Sequence, residues 1–264
     1  KRRAFQPSSF NALMIIFSVV LGYLFGSISF ALMIWKLNGV DLYKVGSGNA
    51  GGTNVGRALG KKWAFITIGL DVLKTIIPVW VIYFVVTFSP LKDYIHSFAP
   101  SFPLEILYFS AALASGIGHK FPIYYHFKGG KAVSCYGGFV LGTNFVLAIL
   151  GMSFFLLVFK LRKRVSLASV LGVSFVFLFS LVLVFLPVNG YVIGNYYFGN
   201  GNMFSLTYIY SLYLLAFGLF VIICHSSNIK RLVNKTEPET HYKKNGEQVV
   251  KNYNKLFINL SIRL

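Results

Sequence analysis

Long apolar runs separated by short basic clusters dominate this chain of 264 residues. The apolar runs are residues 11–35, 64–88, 104–118, 132–159, 166–186 and 205–224. A helix of about 20 apolar residues crosses the hydrocarbon of a bilayer. Hydrophobic residues make up 56% of the chain and charged residues only 12%, which is outside the usual range of water-soluble domains. The sequence therefore predicts an all-α polytopic membrane protein.

The distribution of lysine and arginine predicts how these runs are oriented. Four segments are strongly basic: 36–62, 120–131, 160–164 and the tail from 230 onward. Cytoplasmic loops carry an excess of Lys and Arg. Placing all four basic segments on the cytoplasmic side requires the run 132–159 to cross the membrane twice, or to enter it and return to the same side. The run would then form two helices of about 15 residues with a turn at 142–144. We therefore expect seven transmembrane helices, with re-entrant or loop motifs on the cytoplasmic face, the N-terminus outside and the C-terminus inside.

The overall charge is strongly unbalanced. The chain has 25 Lys and Arg residues against 7 Asp and Glu residues. Such an excess suits anionic lipid headgroups or an anionic substrate. Because the cations lie in short clusters and not along one amphipathic surface, nucleic acid is not an expected partner. The segments 89–103 and 187–204, which carry almost no net charge, are expected outside.

The first polar stretch, residues 44–62, reads KVGSGNAGGTNVGRALGKK and contains no carboxylate. Its closely spaced glycines allow successive amide N–H groups to converge on phosphate oxygens. Neutral donors come from Ser47, Asn49, Thr53 and Asn54, and Thr53 or Asn54 is a candidate cap for a short helix that carries Arg57. The guanidinium of Arg57 suits bidentate contact with a phosphate. The stretch is therefore a candidate anion site.

Two other interpretations of this stretch remain open at this point. Residues 46–51 match the spacing of a dinucleotide fingerprint, but they follow an apolar run where that motif requires a strand. The stretch can also be an ordinary interhelical loop whose glycines serve only turning and packing.

The second polar stretch, GHKFPIYYHFKGGKAV, covers residues 118–133. Gly129, Gly130 and Lys131 precede an apolar helix, which brings backbone N–H groups, a helix N-terminus and an ammonium group together. An alternative is a positively charged cytoplasmic anchor with a glycine cap. His119 and His126 are expected to be interfacial or orienting residues, because no Asp, Glu or Cys accompanies them at metal-ligand spacing.

The third polar stretch begins at His225 and follows the last apolar run. His225, Asn228 and Arg231 or Leu232 fall on one helical face by their spacing. A single histidine at a membrane interface is often structural. Glu237 is one of the few acids able to pair with the basic face, and a structural ion pair is its expected use.

Taken together, the three stretches resemble one family. GSGNAGGTNVGRALGKK with LDVLKT, then GHKFPIYYHFKGGKAV, then HSSNIKRL with Glu237 resemble the signature motifs of the acyl-phosphate:glycerol-3-phosphate acyltransferases, the PlsY family of bacterial inner-membrane enzymes. The resemblance implies a seven-helix membrane fold with its active site facing the cytoplasm. It also implies synthesis of lysophosphatidic acid from acyl phosphate and glycerol 3-phosphate, among membrane lipids, without a cofactor or metal. Residues 1–234 would form the acyltransferase domain and 235–264 a basic cytoplasmic tail.

The resemblance also implies roles for individual residues. Ser47 and Arg57 would hold glycerol 3-phosphate, the Gly129–Lys131 turn would bind phosphate, and His225 and Asn228 would line the reacting centre. The catalytic set is Ser47, Arg57, Lys131, His225 and Asn228. The supporting phosphate-binding set is Gly46, Asn49, Thr53, Asn54, His119, Gly129, Gly130 and Arg231, with Glu237 structural. We expect the chain to act as a monomer.

Four positions depart from the family pattern. Gly52 replaces an Ala, Ser226 replaces an Arg, and both Ala132 and Lys235 stand where the family has Gly. The change at Ala132 bears most on function, because it reduces the backbone freedom of the phosphate loop.

The implied chemistry needs no covalent enzyme nucleophile, since acyl phosphate is an activated mixed anhydride that a hydroxyl attacks directly. The proton acceptor is either His225 or a substrate phosphate. A rival acyl-CoA-type acyltransferase has a signature His–Asp pair, and none of the five histidines has Asp at that spacing. A second rival, a transporter for small phosphorylated anions, would need ionisable groups near the midplane, for which Asp71 and Lys74 are the candidates.

Overall fold

The computed structural model describes residues 7–39, 41–185 and 207–242, and every regular element in these ranges is helical. The helices are α1 (Pro7–Gly26), α2 (Phe30–Leu37), α3 (Gly52–Leu59), α4 (Lys61–Phe88), α5 (Leu91–Phe98), α6 (Glu105–Lys120), α7 (Val133–Thr143), α8 (Phe145–Arg162), α9 (Val165–Phe185), α10 (Tyr208–Cys224) and α11 (Ser226–Val233). Short 3-10 turns cover Leu42–Lys44 and Ile123–Tyr125. The predicted all-α class is confirmed for the described residues. The expected outer segment 187–204 lies outside them.

Several helices have the length and composition of membrane spans. Among the described residues, four helical segments are long and apolar enough to cross a bilayer, and α10 and α11, bent by 64° relative to each other, count as a fifth only if they form one span. Large apolar side chains cover the outside of these helices, for example Phe65 on α4, which is 70% exposed, and Ile223 on α10, which is 69% exposed. Such a surface suits contact with lipid tails and not with water. The prediction of a polytopic membrane protein is therefore supported.

The expected turn in the run 132–159 is present. Helix α7 ends at Thr143, and Asn144 caps α8 because its side-chain oxygen accepts a hydrogen bond from the Leu147 amide at 2.8 Å. The two helices are unequal, with 11 and 18 residues, so the expectation of two helices of about 15 was wrong. At about 1.5 Å per residue, α7 covers roughly half of the hydrocarbon thickness.

The sequence suggested one helix for the first apolar run, but the structure has two. Helix α1 ends at Gly26 and α2 begins at Phe30, with Ser29 in an extended conformation between them. The Ser27 hydroxyl donates back to the Tyr23 carbonyl at 2.8 Å. The Ile28 carbonyl, which the break releases, accepts a hydrogen bond from Lys74 Nζ at 2.7 Å. The break is stabilised by a partner 46 residues away, which local sequence does not reveal.

Helices α1 and α6 approach each other closely through small residues. A Cβ atom on Gly22 or Gly26 would overlap the backbone of Ala111 or Ser115. Small residues four apart allow helix backbones to pack closely where no hydrophobic effect drives association within lipid. This contact fixes α6, whose last turn carries His119 and leads into the second polar stretch.

Candidate active site

The three polar stretches lie together in the folded chain. Lys131 Nζ of the second stretch donates to Asn228 Oδ1 of the third. The Tyr43 hydroxyl, just before the first stretch, donates to the Lys128 carbonyl of the second at 2.8 Å. Interactions between residues 85 and 97 positions apart therefore bring the predicted motifs into one site.

The loop of the first stretch has left-handed backbone at two of its four glycines, Gly46 and Gly48, whereas Gly51 is extended and Gly52 begins α3. Gly46 and Gly48 have φ values of 57° and 62°, in the left-handed region that glycine adopts without strain. Asn54 holds this loop closed, since its Oδ1 accepts from the Ser47 amide at 3.0 Å and its Nδ2 donates to the Leu42 and Val45 carbonyls. Asn54 therefore shapes the loop.

The predicted cap of the short helix is different from the observed one. The helix that carries Arg57 exists as α3, but its N-cap is Gly51 and no side chain caps it, so the expectation that Thr53 or Asn54 does so was wrong. Along this stretch Ser47 is exposed, while Asn49, Thr53 and Arg57 are half-buried. All four side chains therefore remain at least partly exposed.

The glycine pair of the second stretch is used for packing. The Gly129 and Gly130 amides donate to the Lys120 and His119 carbonyls at 3.1 and 3.0 Å, so these two N–H groups are already engaged. A Cβ on Gly129 would overlap the His119 carbonyl, and one on Gly130 would overlap the His119 ring. The donors left for an anion are the first-turn amides of α7 and the Lys131 ammonium.

Two departures from the family pattern fall at left-handed backbone positions. Ala132 has φ 61° and is fully buried, and Lys235 has φ 57° just after α11. An L-residue in this conformation costs about 1–2 kcal/mol relative to the right-handed region. The family glycine at each position is thus explained by backbone geometry, and this chain has accepted strain at both.

Glu237 is the centre of the third stretch. One carboxylate oxygen accepts from Asn228 Nδ2 and from the Ser166 hydroxyl, each at 2.7 Å, and the other accepts from Arg231 Nε at 2.7 Å. Burial opposes ionisation, but the hydrogen bonds from Ser166, Asn228 and Arg231 outweigh it and lower the pKa of the Glu237 carboxyl. The expected ion pair is confirmed with Arg231. Sequence reasoning missed Ser166, which lies in the first turn of α9 beside the basic segment 160–164.

His225 lies between α10 and α11 and is buried. Its Nδ1 is 2.8 Å from the Val221 carbonyl, which can only accept, so Nδ1 carries the proton and Nε2 is the basic nitrogen. Burial, with the positive charges of Lys131 and Lys120, lowers the pKa of His225 to about 4 despite the Val221 hydrogen bond. The imidazole is therefore neutral at pH 7.

The surroundings of Lys131 are strongly cationic. Burial lowers the pKa of the Lys131 ammonium to about 8; Glu237 opposes this shift, whereas Arg231, Lys120 and Arg57 add to it. Lys131 therefore lies in the field of three other cations, with Glu237 as the opposing carboxylate. This excess of positive charge, with Asn228 fixed between Lys131 and Glu237, suits an anionic ligand.

A buried charge cluster lies behind the glycine pair. Lys74 Nζ is 3.0 Å from Asp71 Oδ1 and 2.9 Å from His119 Nδ1. From the sequence, Asp71 and Lys74 were part of the LDVLKT motif and candidate transporter groups, and their three-residue spacing in an apolar helix was a signal for a pair. His119, a predicted phosphate ligand, is buried between Lys74 and Gly130. In the described part of the chain, no group of three or more His, Cys, Asp or Glu residues could hold a metal.

One known protein family matches most of this chain. The family described as glycerol-3-phosphate acyltransferase matches residues 16–235. The chain belongs to the glycerol-3-phosphate acyltransferase family. A member from Mycoplasma capricolum named glycerol-3-phosphate acyltransferase is 37% identical, with 90% of this chain and 96% of that protein covered.

Solved structures of an acyltransferase in this family have the same fold. The crystal structure of PlsY, an integral membrane glycerol 3-phosphate acyltransferase, in its glycerol 3-phosphate form is 33% identical, with a TM-score of 0.65 over 86% of this chain and 96% of that one. Its lysophosphatidic acid form is 31% identical, with a TM-score of 0.63 over 85% and 94% of the two chains. The match to the acyltransferase family ends at residue 235, just before Glu237.

Proposed function

We propose that this protein transfers an acyl chain from acyl phosphate to the 1-hydroxyl of glycerol 3-phosphate, giving lysophosphatidic acid and inorganic phosphate. The observation that carries the proposal is the excess of positive charge at Lys131, where Arg57, Lys120 and Arg231 add to the charge of the ammonium and Glu237, paired with Arg231, opposes it. Two phosphates must lie side by side in this reaction, and concentrated positive charge offsets their repulsion. Family membership supplies the reaction class.

The reaction follows from these residues. The glycerol hydroxyl oxygen attacks the acyl carbonyl carbon, the bond between that carbon and the phosphate oxygen breaks, and phosphate departs with both electrons. Arg57 holds the acceptor phosphate, with Ser47 and Asn49 beside it. Lys131 and the first-turn amides of α7 stabilise the departing phosphate. Positioning of two bound reactants alone can contribute up to about 7–11 kcal/mol in model systems.

The hydroxyl proton passes to a substrate phosphate and not to His225. An imidazole with its pKa lowered to about 4 is a weak base at neutral pH, whereas the second pKa of a phosphate ester is about 6. His225 Nε2 accepts the hydrogen bond of the attacking hydroxyl and orients it. His225→Asn should therefore lower kcat through misplacement and leave the pH–rate profile between pH 5 and 7 unchanged. Loss of an ionisation in that range would instead identify His225 as the base.

The donor is tested directly with purified protein, acyl phosphate and labelled glycerol 3-phosphate in the presence of EDTA. Labelled lysophosphatidic acid and an equal amount of phosphate are expected, and acyl-CoA should not replace acyl phosphate. Efficient turnover of acyl-CoA, or loss of activity on chelation, would contradict the proposal.

We also propose seven crossings in a bacterial inner membrane, with the N-terminus outside and the site facing the cytoplasm. The Lys163 carbonyl accepts from the Thr240 amide at 2.7 Å, and Arg164 Nε donates to the Glu237 carbonyl at 3.0 Å. The segment 160–164 thus lies beside the other basic stretches, which supports placing all of them on one side. Residues 1–234 would form the membrane domain of a monomer, with 235–264 on the same face as the site.

Cysteine labelling tests this orientation. In a cysteine-free background, a Lys163→Cys variant should resist an impermeant thiol reagent in intact cells, and an Asn195→Cys variant should react. Reaction of the Lys163→Cys variant from outside would exclude the proposed topology.

A further inference from the structure

Residues 237–242, here called the return segment, follow α11 and begin with Glu237. The segment is clamped at its beginning by the three hydrogen bonds to the Glu237 carboxylate. It is clamped again on the α8–α9 turn, where Arg164 donates to the Glu237 carbonyl and the Thr240 amide donates to the Lys163 carbonyl. Its path is therefore set by side chains and backbone from two other parts of the fold.

Thr240 connects this segment to Arg57. The Thr240 side chain is 7% exposed, and its hydroxyl accepts a hydrogen bond from Arg57 Nη2 at 3.2 Å. Among the described residues, the Arg57 guanidinium makes this one hydrogen bond. Its other N–H groups therefore remain available to a ligand.

The chemistry of the partner matters as much as its position. Thr240 is neutral, so it orients Arg57 without cancelling its charge. The acids of the return segment pair elsewhere, Glu237 with Arg231 and Glu239 with His241. A carboxylate at position 240 would form an ion pair with Arg57 and compete with an anionic substrate. A hydroxyl avoids that competition.

Tyr242 makes a second contact with the helix that carries Arg57. A Cβ on Gly56 would overlap the Tyr242 ring, so the ring lies directly on the backbone next to Arg57. The return segment therefore contacts α3 at Gly56 through Tyr242 and contacts the Arg57 guanidinium through Thr240.

We propose that the return segment is part of the acceptor subsite, and that Thr240 is a positioning residue that holds Arg57 ready for the phosphate of glycerol 3-phosphate. This inference rests on the proposed function, because it assigns Arg57 to the acceptor. A pre-oriented guanidinium loses less side-chain freedom when the phosphate binds. The contribution of Thr240 therefore acts on binding of the acceptor and not on the departing phosphate.

Kinetics with each substrate varied in turn test the proposal. Thr240→Val keeps the shape of the side chain and removes the acceptor, so it should raise the KM for glycerol 3-phosphate by about five- to tenfold, the usual range for one hydrogen bond exchanged with water. The KM for acyl phosphate and kcat should each change by less than about twofold, which is close to the error of the assay. Thr240→Ser should restore the wild-type KM, because it restores the hydroxyl.

Thr236→Val is the matched control, since Thr236 is exposed and precedes the return segment. It should have wild-type kinetics. An equal KM for glycerol 3-phosphate in Thr240→Val and Thr236→Val would overturn the proposal, as would an equal rise in both KM values, which indicates general loss of structure. If Thr240→Val does not fold, Thr240→Cys, which has a weak acceptor, must show the same selective rise.

A double-mutant cycle shows whether Thr240 acts through Arg57. In an Arg57→Ala background, Thr240→Val should have no further effect on the KM for glycerol 3-phosphate. An undiminished effect there would contradict positioning through Arg57. If wild-type protein makes no lysophosphatidic acid from acyl phosphate, the proposed function fails. If it does so and only Arg57→Ala impairs it, the inference about Thr240 alone fails.

Discussion

Arg57 and Lys131 lie in the same site but in different electrostatic settings. Lys131 is half-buried, donates to the side-chain oxygen of Asn228 and has its pKa lowered to about 8 by burial and by neighbouring cations. Arg57 is also half-buried and donates to the Thr240 hydroxyl, and a guanidinium is a permanent cation in proteins. The difference indicates separate roles. Arg57, with its permanent charge, binds the phosphate of the acceptor, and Lys131, whose charge titrates, stabilises the departing phosphate.

The largest effect is expected from Lys131→Met. The variant removes the charge that stabilises the departing phosphate, and it leaves the Asn228 oxygen without its donor. We expect kcat to fall by about 10²–10³, the usual loss for one electrostatic contact to a transition state, and the KM for acyl phosphate to rise. Steady-state rates of phosphate release measure both. A loss confined to the KM for glycerol 3-phosphate would reverse the assignment of the two cations.

Arg57→Ala should affect the other substrate. Removal of a charged hydrogen-bonding group raises the KM for glycerol 3-phosphate by roughly 10- to 100-fold, while kcat falls less. The same assay, with acyl phosphate saturating, measures this change. Folded protein in which both the Arg57→Ala and Lys131→Met variants retain normal kinetics would show that the cluster only anchors the chain to the membrane surface.

The pH dependence distinguishes the two cations further. Lys131 is protonated below its pKa of about 8 and loses its charge above it. The value of kcat/KM for acyl phosphate should therefore fall about tenfold per pH unit above that point. Lys131→Arg should remove this alkaline limb because a guanidinium stays charged. Arg57→Lys should leave the limb in place, and its disappearance there would mean that another group titrates.

The smallest expected effect comes from the backbone strain at the two left-handed residues, Lys235 and Ala132. Lys235→Gly relieves a left-handed φ of 57° at an exposed position and should stabilise the folded protein by about 1 kcal/mol. Ala132→Gly relieves the same strain next to Lys131 but removes a buried methyl group worth about 0.8 kcal/mol, so its net effect should be close to zero. Thermal unfolding in detergent measures both. A destabilised Lys235→Gly variant would contradict the assignment of strain.

The sequence by itself determined the membrane class, most helix positions and the three stretches that form the site. The break at Asn144 and the left-handed positions at Gly46 and Gly48 were predictable as well. These features depend on neighbouring residues: the length of an apolar run, the capping ability of an asparagine, the permissive backbone of glycine. The pairing of Glu237 with the basic face followed from the scarcity of acids in the chain.

Only the tertiary structure decided which partner each polar group has. Arg57 and Thr240 are 183 residues apart, and Lys74 reaches the carbonyl released by the break at Ile28 across 46 residues. The sequence predicted that the Gly129 and Gly130 amides bind a phosphate. They instead donate hydrogen bonds to the carbonyls of Lys120 and His119 at the end of α6. Local pattern shows that a buried donor or acceptor needs a partner, because leaving it unpaired is costly. The partner itself is chosen when helices that are distant in the chain pack together.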